Sequence, residues 1–129
     1  MASKHPQAEQ LVLDWLKTSL TEQVFTETDD SLTAPAFRVQ VFGGTGGTGA
    51  NQLTRSPSVE LSAYAKGRGA ALDLLEKGDL QMMALSSSGF AGRYVDDVRL
   101  TFYPSVEPYM NTGLHQATAT YAIDLRPQK

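Results

Sequence analysis

Residues 55–85 read RSPSVELSAYAKGRGAALDLLEKGDLQMMAL, and the spacing of their apolar side chains changes along the stretch. Over residues 58–65 apolar and polar side chains alternate, which is typical of a half-buried strand. Over residues 69–85 the apolar side chains recur every three or four positions, which predicts an amphipathic helix. That helix contains Gly78, a residue type that weakens helices, and we expect it to permit close packing. A strand that leads directly into a covering helix indicates an α+β fold.

The sequence before this stretch predicts further parts of the same layered structure. A three-and-four spacing of apolar residues over 6–20 predicts a first amphipathic helix. Val24 and Phe25 predict a brief strand. Alternation over residues 37–42 predicts a longer strand, which we expect to pair with the strand at 58–65.

The sequence after the second helix predicts two more strands, at residues 94–102 and 114–126. It also predicts two loops, at residues 86–92 and 104–112. The second loop is predicted because two prolines interrupt the alternation. This order of elements predicts a mostly antiparallel sheet of four to five strands with two amphipathic helices packed on one face. We expect residues 1–129 to form a single α+β domain. If the last strand lies at an edge, Tyr121 and Ile123 would be available for pairing between chains.

Length, charge and composition exclude several classes of protein. A chain of 129 residues has the size of one domain. Its formal net charge of −3 and its scattered basic residues argue against a nucleic-acid binder. The absence of cysteine excludes disulfides and thiolate metal sites. Because the N-terminus lacks the apolar segment of a secretory signal and no apolar run is long enough to span a membrane, we expect the chain to remain in the cytoplasm.

A glycine-rich run at residues 43–49 raises the possibility of a nucleotide site. Gly44, Gly46 and Gly49 match the pattern G-x-G-x-x-G. That motif binds pyrophosphate only where its last glycine opens a helix, and here another predicted strand follows. No Lys-Ser or Lys-Thr follows the glycines, so a P-loop is excluded as well. We therefore expect a flexible loop between two strands, and a small nucleotide-binding domain is the less favoured alternative.

The remaining polar residues do not form a catalytic or metal-binding pattern. His5 and His115 are the only histidines and are far apart in the sequence. Adjacent aspartates on a strand point to opposite faces, so such pairs do not converge on one metal ion. The serines before Gly89 lack the preceding glycine of a nucleophile elbow. We expect no enzymatic activity, no cofactor and no metal site.

Several local sequences, together with the order of elements, resemble the tail terminator, or tail completion, proteins of long-tailed bacteriophages. The resembling parts are the opening helix HPQAEQLVLDWL, the strand and loop FRVQVFGG, the strand and helix quoted above, and the closing strand LHQATATYAIDLR after the turn PYMNTG. Together they cover most of the chain.

The resemblance implies a small α+β subunit of a six-membered ring at the head-proximal end of the tail. Such a ring halts growth of the tail tube and joins it to the neck. The implied partners are copies of the same chain, the tail tube protein and a neck or head-completion protein, with DNA passing through the lumen without specific binding. The implied location is the virion, after assembly in the host cytoplasm. Another head-tail connector, such as a head-closure or adaptor subunit, remains the alternative.

One loop departs from the family pattern, in which Gly-Gly is commonly followed by a shorter polar or basic segment. The present chain has GGTGGTGANQLT. By position, Arg38 and Arg55 resemble the basic residues that flank the family's loop, and an ordinary solvated arginine is the alternative at each position. We expect the candidate subunit or tube interface to comprise these two arginines and the glycines between them, namely Gly43, Gly44, Gly46, Gly47 and Gly49.

Overall fold

The computed structural model describes residues 4–26, 34–46, 55–86, 88–90, 93–109 and 113–125. In chain order, the elements within these ranges are α1 (Lys4–Ser19), β1 (Gln23–Phe25), β2 (Ala36–Gly46), β3 (Arg55–Ala65), α2 (Arg68–Ala84), β4 (Ser88–Phe90), β5 (Arg93–Tyr109) and β6 (Leu114–Leu125). Both predicted helices and all five predicted strands are present, and β4 is an additional strand.

The six strands form one sheet in the order β1-β2-β3-β6-β5-β4. β1 pairs in parallel with β2, and every other neighbouring pair is antiparallel. The predicted α+β fold with a mostly antiparallel sheet is confirmed, with six strands instead of four to five. Neither helix in the described ranges has the length and apolar character required to cross a membrane.

Both helices cover the same face of the sheet, as predicted. The chain turns from β3 into α2 at Gly67, whose φ of 94° lies in the left-handed region that glycine adopts most easily. The indole Nε1 of Trp15 on α1 donates a hydrogen bond of 2.8 Å to the carbonyl oxygen of Gln81 on α2. The largest buried apolar side chains between helices and sheet include Leu16, Leu75, Met82, Phe37, Leu61 and Ile123. Burial of this apolar layer is the main source of stability.

The glycine run differs from the predicted loop in its first half. β2 continues through Gly43 to Gly46, and the ladder with β3 extends to the pair Gly46↔Arg55. A register shift between Phe42 and Gly44 marks a bulge, where one extra residue bends the strand. The prediction of a loop is therefore wrong for 43–46. Residues 47–54 lie outside the described residues.

Three other expectations are corrected near the end of the chain. β5 continues to Tyr109 through Pro104 and Pro108, because a proline is tolerated on a strand that pairs on one side only. Part of the predicted loop at 86–92 forms β4, which pairs with the start of β5. β6 lies between β3 and β5, so it is a central strand and cannot offer an edge to another chain.

Candidate assembly surfaces

The helix-free face of the sheet carries polar side chains that bond mainly to one another. The amide nitrogen of Gln116 donates to Ser62 Oγ and to Tyr64 Oη, each at 3.2 Å. Ser62 Oγ also lies 3.2 Å from Thr118 Oγ1. On the same face Phe25 stacks on Tyr64 with a ring-centre distance of 6.4 Å. Because Ser62 and Tyr64 are fully buried, these hydrogen bonds satisfy groups that water does not reach.

Arg38 lies at one side of a depression on this helix-free face. Its Nη2 donates to Glu60 Oε1 at 3.1 Å, and both side chains are partly exposed. The depression has a volume of about 480 Å³ and is lined by Arg38, Glu60, Ser105, Glu107, Gln116, Thr118 and Thr120. One cation and two carboxylates among neutral hydrogen-bonding groups make a surface suited to polar contacts rather than to an apolar ligand.

The structure places the predicted interface residues in two separate positions. Gly46 and Arg55 face each other across the ladder between β2 and β3, at one end of the sheet. Arg38 lies near the opposite end of β2, where it is the ladder partner of Ser62 on β3. Its guanidinium forms an ion pair with Glu60. Gly43 and Gly44 lie between these positions on β2, and Gly47 and Gly49 lie outside the described residues. The predicted residues therefore do not form one cluster around Arg38.

Within the described ranges, two sheet edges are only partly covered by neighbouring strands. On β2 the short strand β1 pairs with residues 36–38 only. The backbone nitrogen of Val41, beyond that point, donates to Glu9 Oε2 of α1 at 3.2 Å. On β5 the short strand β4 pairs with residues 93–95 only. Unpaired edges of this kind are templates for pairing with another chain. Sequence patterns did not reveal them, because alternation does not specify strand order.

A groove with an acidic rim runs between α2 and the outer edge of β5. It has a volume of about 280 Å³ and is lined by Leu72, Asp73, Leu75, Glu76, Asp79, Leu100 and Pro104. Leu100 on β5 is 38% exposed, and Leu80 on the outer side of α2 is 65% exposed. These are the large exposed apolar side chains among the described residues.

Two ionisable side chains of the described residues, Tyr121 and Arg99, form hydrogen bonds to aspartates. Tyr121 Oη donates to Asp79 Oδ1 at 2.5 Å, and burial together with this bond raises the pKa of Tyr121 far above its usual value. Arg99 Nη1 donates to both Asp97 and Asp124, and these bonds raise the pKa of the guanidinium. The described residues contain no group of three or more side chains arranged to hold a metal ion.

Comparison with known proteins gives a match at the level of the fold. No family model and no curated protein sequence matches this chain. Among solved structures, a chain of a structure titled as the virion of a native gene transfer agent particle is similar with a TM-score of 0.55 and 7% sequence identity. The similarity covers 96% of this chain and 90% of that chain. At this identity the match demonstrates a shared fold along nearly the whole length of both chains.

Proposed function

We propose that this chain is a structural virion protein, a tail terminator that forms a ring on the head-proximal end of a tail tube. The observation that carries the proposal is the fold match along 96% of the chain to a component of a phage-like particle. It agrees with the resemblance, noted above, between the sequence and the tail terminator proteins. The two observations depend on different properties of the chain, namely backbone geometry and local sequence.

The surfaces of the molecule suit a ring subunit better than an enzyme. A subunit of a closed ring contacts two neighbours through two different surfaces. In the part of the chain that the structure describes, the sheet has two different, partly open edges, on β2 and on β5. The polar side chains of the helix-free face bond mainly to one another, and we propose a role in assembly without catalysis. In this role the partners are copies of the chain, the tail tube protein and a neck protein.

Two alternatives are separated from this proposal by specific observations. A head-closure or adaptor subunit would also belong to a virion, and the matched structure's title names the particle without naming the component. A dinucleotide site would require a glycine turn between parallel strands joined by a helix. Here the glycine-bearing strand β2 pairs antiparallel with β3, the next strand of the chain. The nucleotide-binding alternative therefore lacks its structural context.

The test is the length of tail tubes that polymerise in the presence of this protein. We expect tubes to stop growing when the purified chain is added to polymerising tube protein, and the number of bound chains per tube to stay constant as tube length varies. A connector of another kind would leave tube length unchanged and would bind the neck protein instead. Unchanged tube length, or binding in proportion to tube length, would contradict the assignment as a terminator.

A further inference from the structure

The open parts of the two sheet edges lie at the same height, meaning the same level along the strand direction. We call residues 39–46 of β2 the β2 window and residues 96–103 of β5 the β5 window. The ladders connect Val41 to Val59, Val59 to Tyr121, and Tyr121 to Leu100. One row of paired residues therefore runs across the sheet from the middle of one window to the middle of the other.

The ends of the windows coincide as well. Gly46 pairs with Arg55, Arg55 with Leu125, and Leu125 with Val95. Val95 is the last residue of β5 that β4 covers, so the β5 window begins next to the level at which the β2 window ends. A second copy displaced sideways along the sheet, without a shift along the strands, would bring the two windows alongside each other. Ser105 of its β5 would then be level with β1, because the ladders connect Ser105 to Thr118, Thr118 to Ser62, Ser62 to Arg38 and Arg38 to Phe25. The end of β5 therefore has to turn away from the neighbour after the window, at the register shift between Phe102 and Ser105.

Strand direction is also compatible with this arrangement. β2 and β6 run in one direction, and β3 and β5 run in the other, because each neighbouring pair is antiparallel. In a head-to-tail arrangement the β2 of one copy therefore runs opposite to the β5 of the next. Their backbone groups can form an antiparallel ladder, which continues the sheet from copy to copy.

The parts of both edges outside the windows are protected. β1 pairs with residues 36–38 of β2, and β4 pairs with residues 93–95 of β5. The remainder of β5 contains Pro104 and Pro108, which cannot donate a backbone hydrogen bond. Proline on an edge strand is a common protection against unwanted pairing. The β5 window contains no proline, and no other strand of the described ranges pairs with its outer side, so its backbone groups can form a ladder.

We infer that the β2 window of one copy pairs with the β5 window of a second copy, and that this contact closes the ring. The inference rests on the proposed function and identifies the subunit contact that it requires. At equal height Leu100 would lie beside Val41 of the neighbour, on the helix-covered face. The contact would then bury the exposed part of Leu100, which is 38% accessible in the single chain. Burial of apolar surface would add to the hydrogen bonds of the ladder.

The Glu9 side chain has to move before this contact can form. Its carboxylate accepts the backbone N–H of Val41 at 3.2 Å, inside the β2 window. A neighbouring strand that pairs at Val41 has to displace this carboxylate. The bond therefore opposes pairing in the free chain, and binding to another component such as the tube can favour its release.

Disulfide cross-linking tests the contact directly, because the chain contains no cysteine of its own. Gln40 and Thr101 are exposed and lie at about the same height, on β2 and β5 respectively. Within one chain they are separated by three strand spacings, about 14 Å, which is too far for a disulfide. The two variants, Gln40→Cys and Thr101→Cys, are purified separately, and their thermal unfolding is compared with that of the original chain.

We expect covalent dimers when the two variants are mixed with tube protein under oxidising conditions, and none with either variant alone. A protein that carries both changes should give multimers up to a closed ring. Dimers from Thr101→Cys alone would instead indicate that two β5 strands pair with each other, and would overturn the inference. Amide exchange provides a second measurement, since the β5 window should become protected on assembly while residues 105–109 should not.

The outcomes separate this inference from the proposed function. Rings on tube ends without cross-links, and without added protection of the β5 window, would overturn the edge contact and leave the terminator role intact. Cross-linked multimers that do not stop tube growth would support the contact and contradict the terminator role.

Discussion

Gly78 lies where α2 packs against the sheet, and its missing side chain permits a close approach. A Cβ atom placed there would lie 2.7 Å from Cε1 of Phe37 and 2.9 Å from Cδ2 of Leu61. Both neighbours are fully buried, so neither can move aside without disturbing the core. The sequence alone predicted close packing at this glycine, and the structure confirms it.

We expect Gly78→Ala to lower the free energy of unfolding by up to about 2 kcal/mol. Alanine gains about 1 kcal/mol in helix propensity, but overpacking a core costs about 1–3 kcal/mol. Gly69→Ala is the matched control, because nothing lies within 4 Å of a Cβ at Gly69 in the first turn of the same helix. Urea unfolding of both variants measures the difference. Equal stability of the two variants would contradict the close packing of α2 against the sheet at Gly78.

Tyr121 and Asp79 form the bond that ties β6 to α2. The Tyr121 side chain is fully buried, and its hydroxyl donates to a carboxylate. We expect Tyr121→Phe to lower the free energy of unfolding by about 1.5–3 kcal/mol, the usual contribution of a hydrogen bond to a charged group. Tyr64→Phe is the control, because it removes a hydroxyl that accepts a hydrogen bond from the neutral amide of Gln116, and a bond of this kind contributes about 0.5–1.5 kcal/mol. Thermal and urea unfolding would contradict this account if Tyr64→Phe had the larger effect.

At the scale of elements, α1 protects the edge of β2 through one side chain. We expect Glu9→Ala to accelerate amide hydrogen exchange at Val41 about tenfold or more, because the amide loses a charged acceptor worth about 1.5–3 kcal/mol. Glu9→Gln retains a side-chain oxygen and should have a smaller effect. Exchange rates resolved by residue in the free chain provide the measurement. An unchanged rate at Val41 in Glu9→Ala would mean that the carboxylate does not protect this edge.

Elements with regular periodicity could be predicted from the sequence, whereas features set by strand neighbours could not. Alternation at 58–65 and helical spacing at 69–85 are local signals, and β3 and α2 are close to these ranges. The prolines of β5 were interpreted as a break, because their tolerance depends on β5 having an open side. β4 contains only Ser88–Phe90, which is too short for a periodic signal. The central position of β6 depends on long-range pairing that periodicity does not record.

At the scale of the whole molecule, the sheet separates two kinds of surface. One face is covered by α1 and α2 and holds the apolar core. The other carries a network of hydroxyl, amide and ionic groups, including the pair of Arg38 and Glu60. The sequence indicated which residues alternate between the faces. It did not indicate that Arg38 is paired with Glu60, nor that Gly46 and Arg55 face each other far from Arg38, because both facts depend on strand register.

In the contact that we propose, the candidate interface shifts from the two arginines and the glycines between them to the two partly open edges of the described sheet. The predicted residues Gly43, Gly44 and Gly46 remain part of it, since they belong to the β2 window. The β5 window was not predicted, because its availability results from the short β4 on one side and from the prolines that follow it. Strand order and strand length decide what is open at an edge, and both are properties of the folded sheet.

Electron cryo-microscopy of tail tubes assembled with this protein tests the central claim most directly. If the chain is a tail terminator, images will show a ring of six subunits at one end of each tube and none along its length. Bare tube ends, or subunits distributed along the tube wall, would contradict the claim.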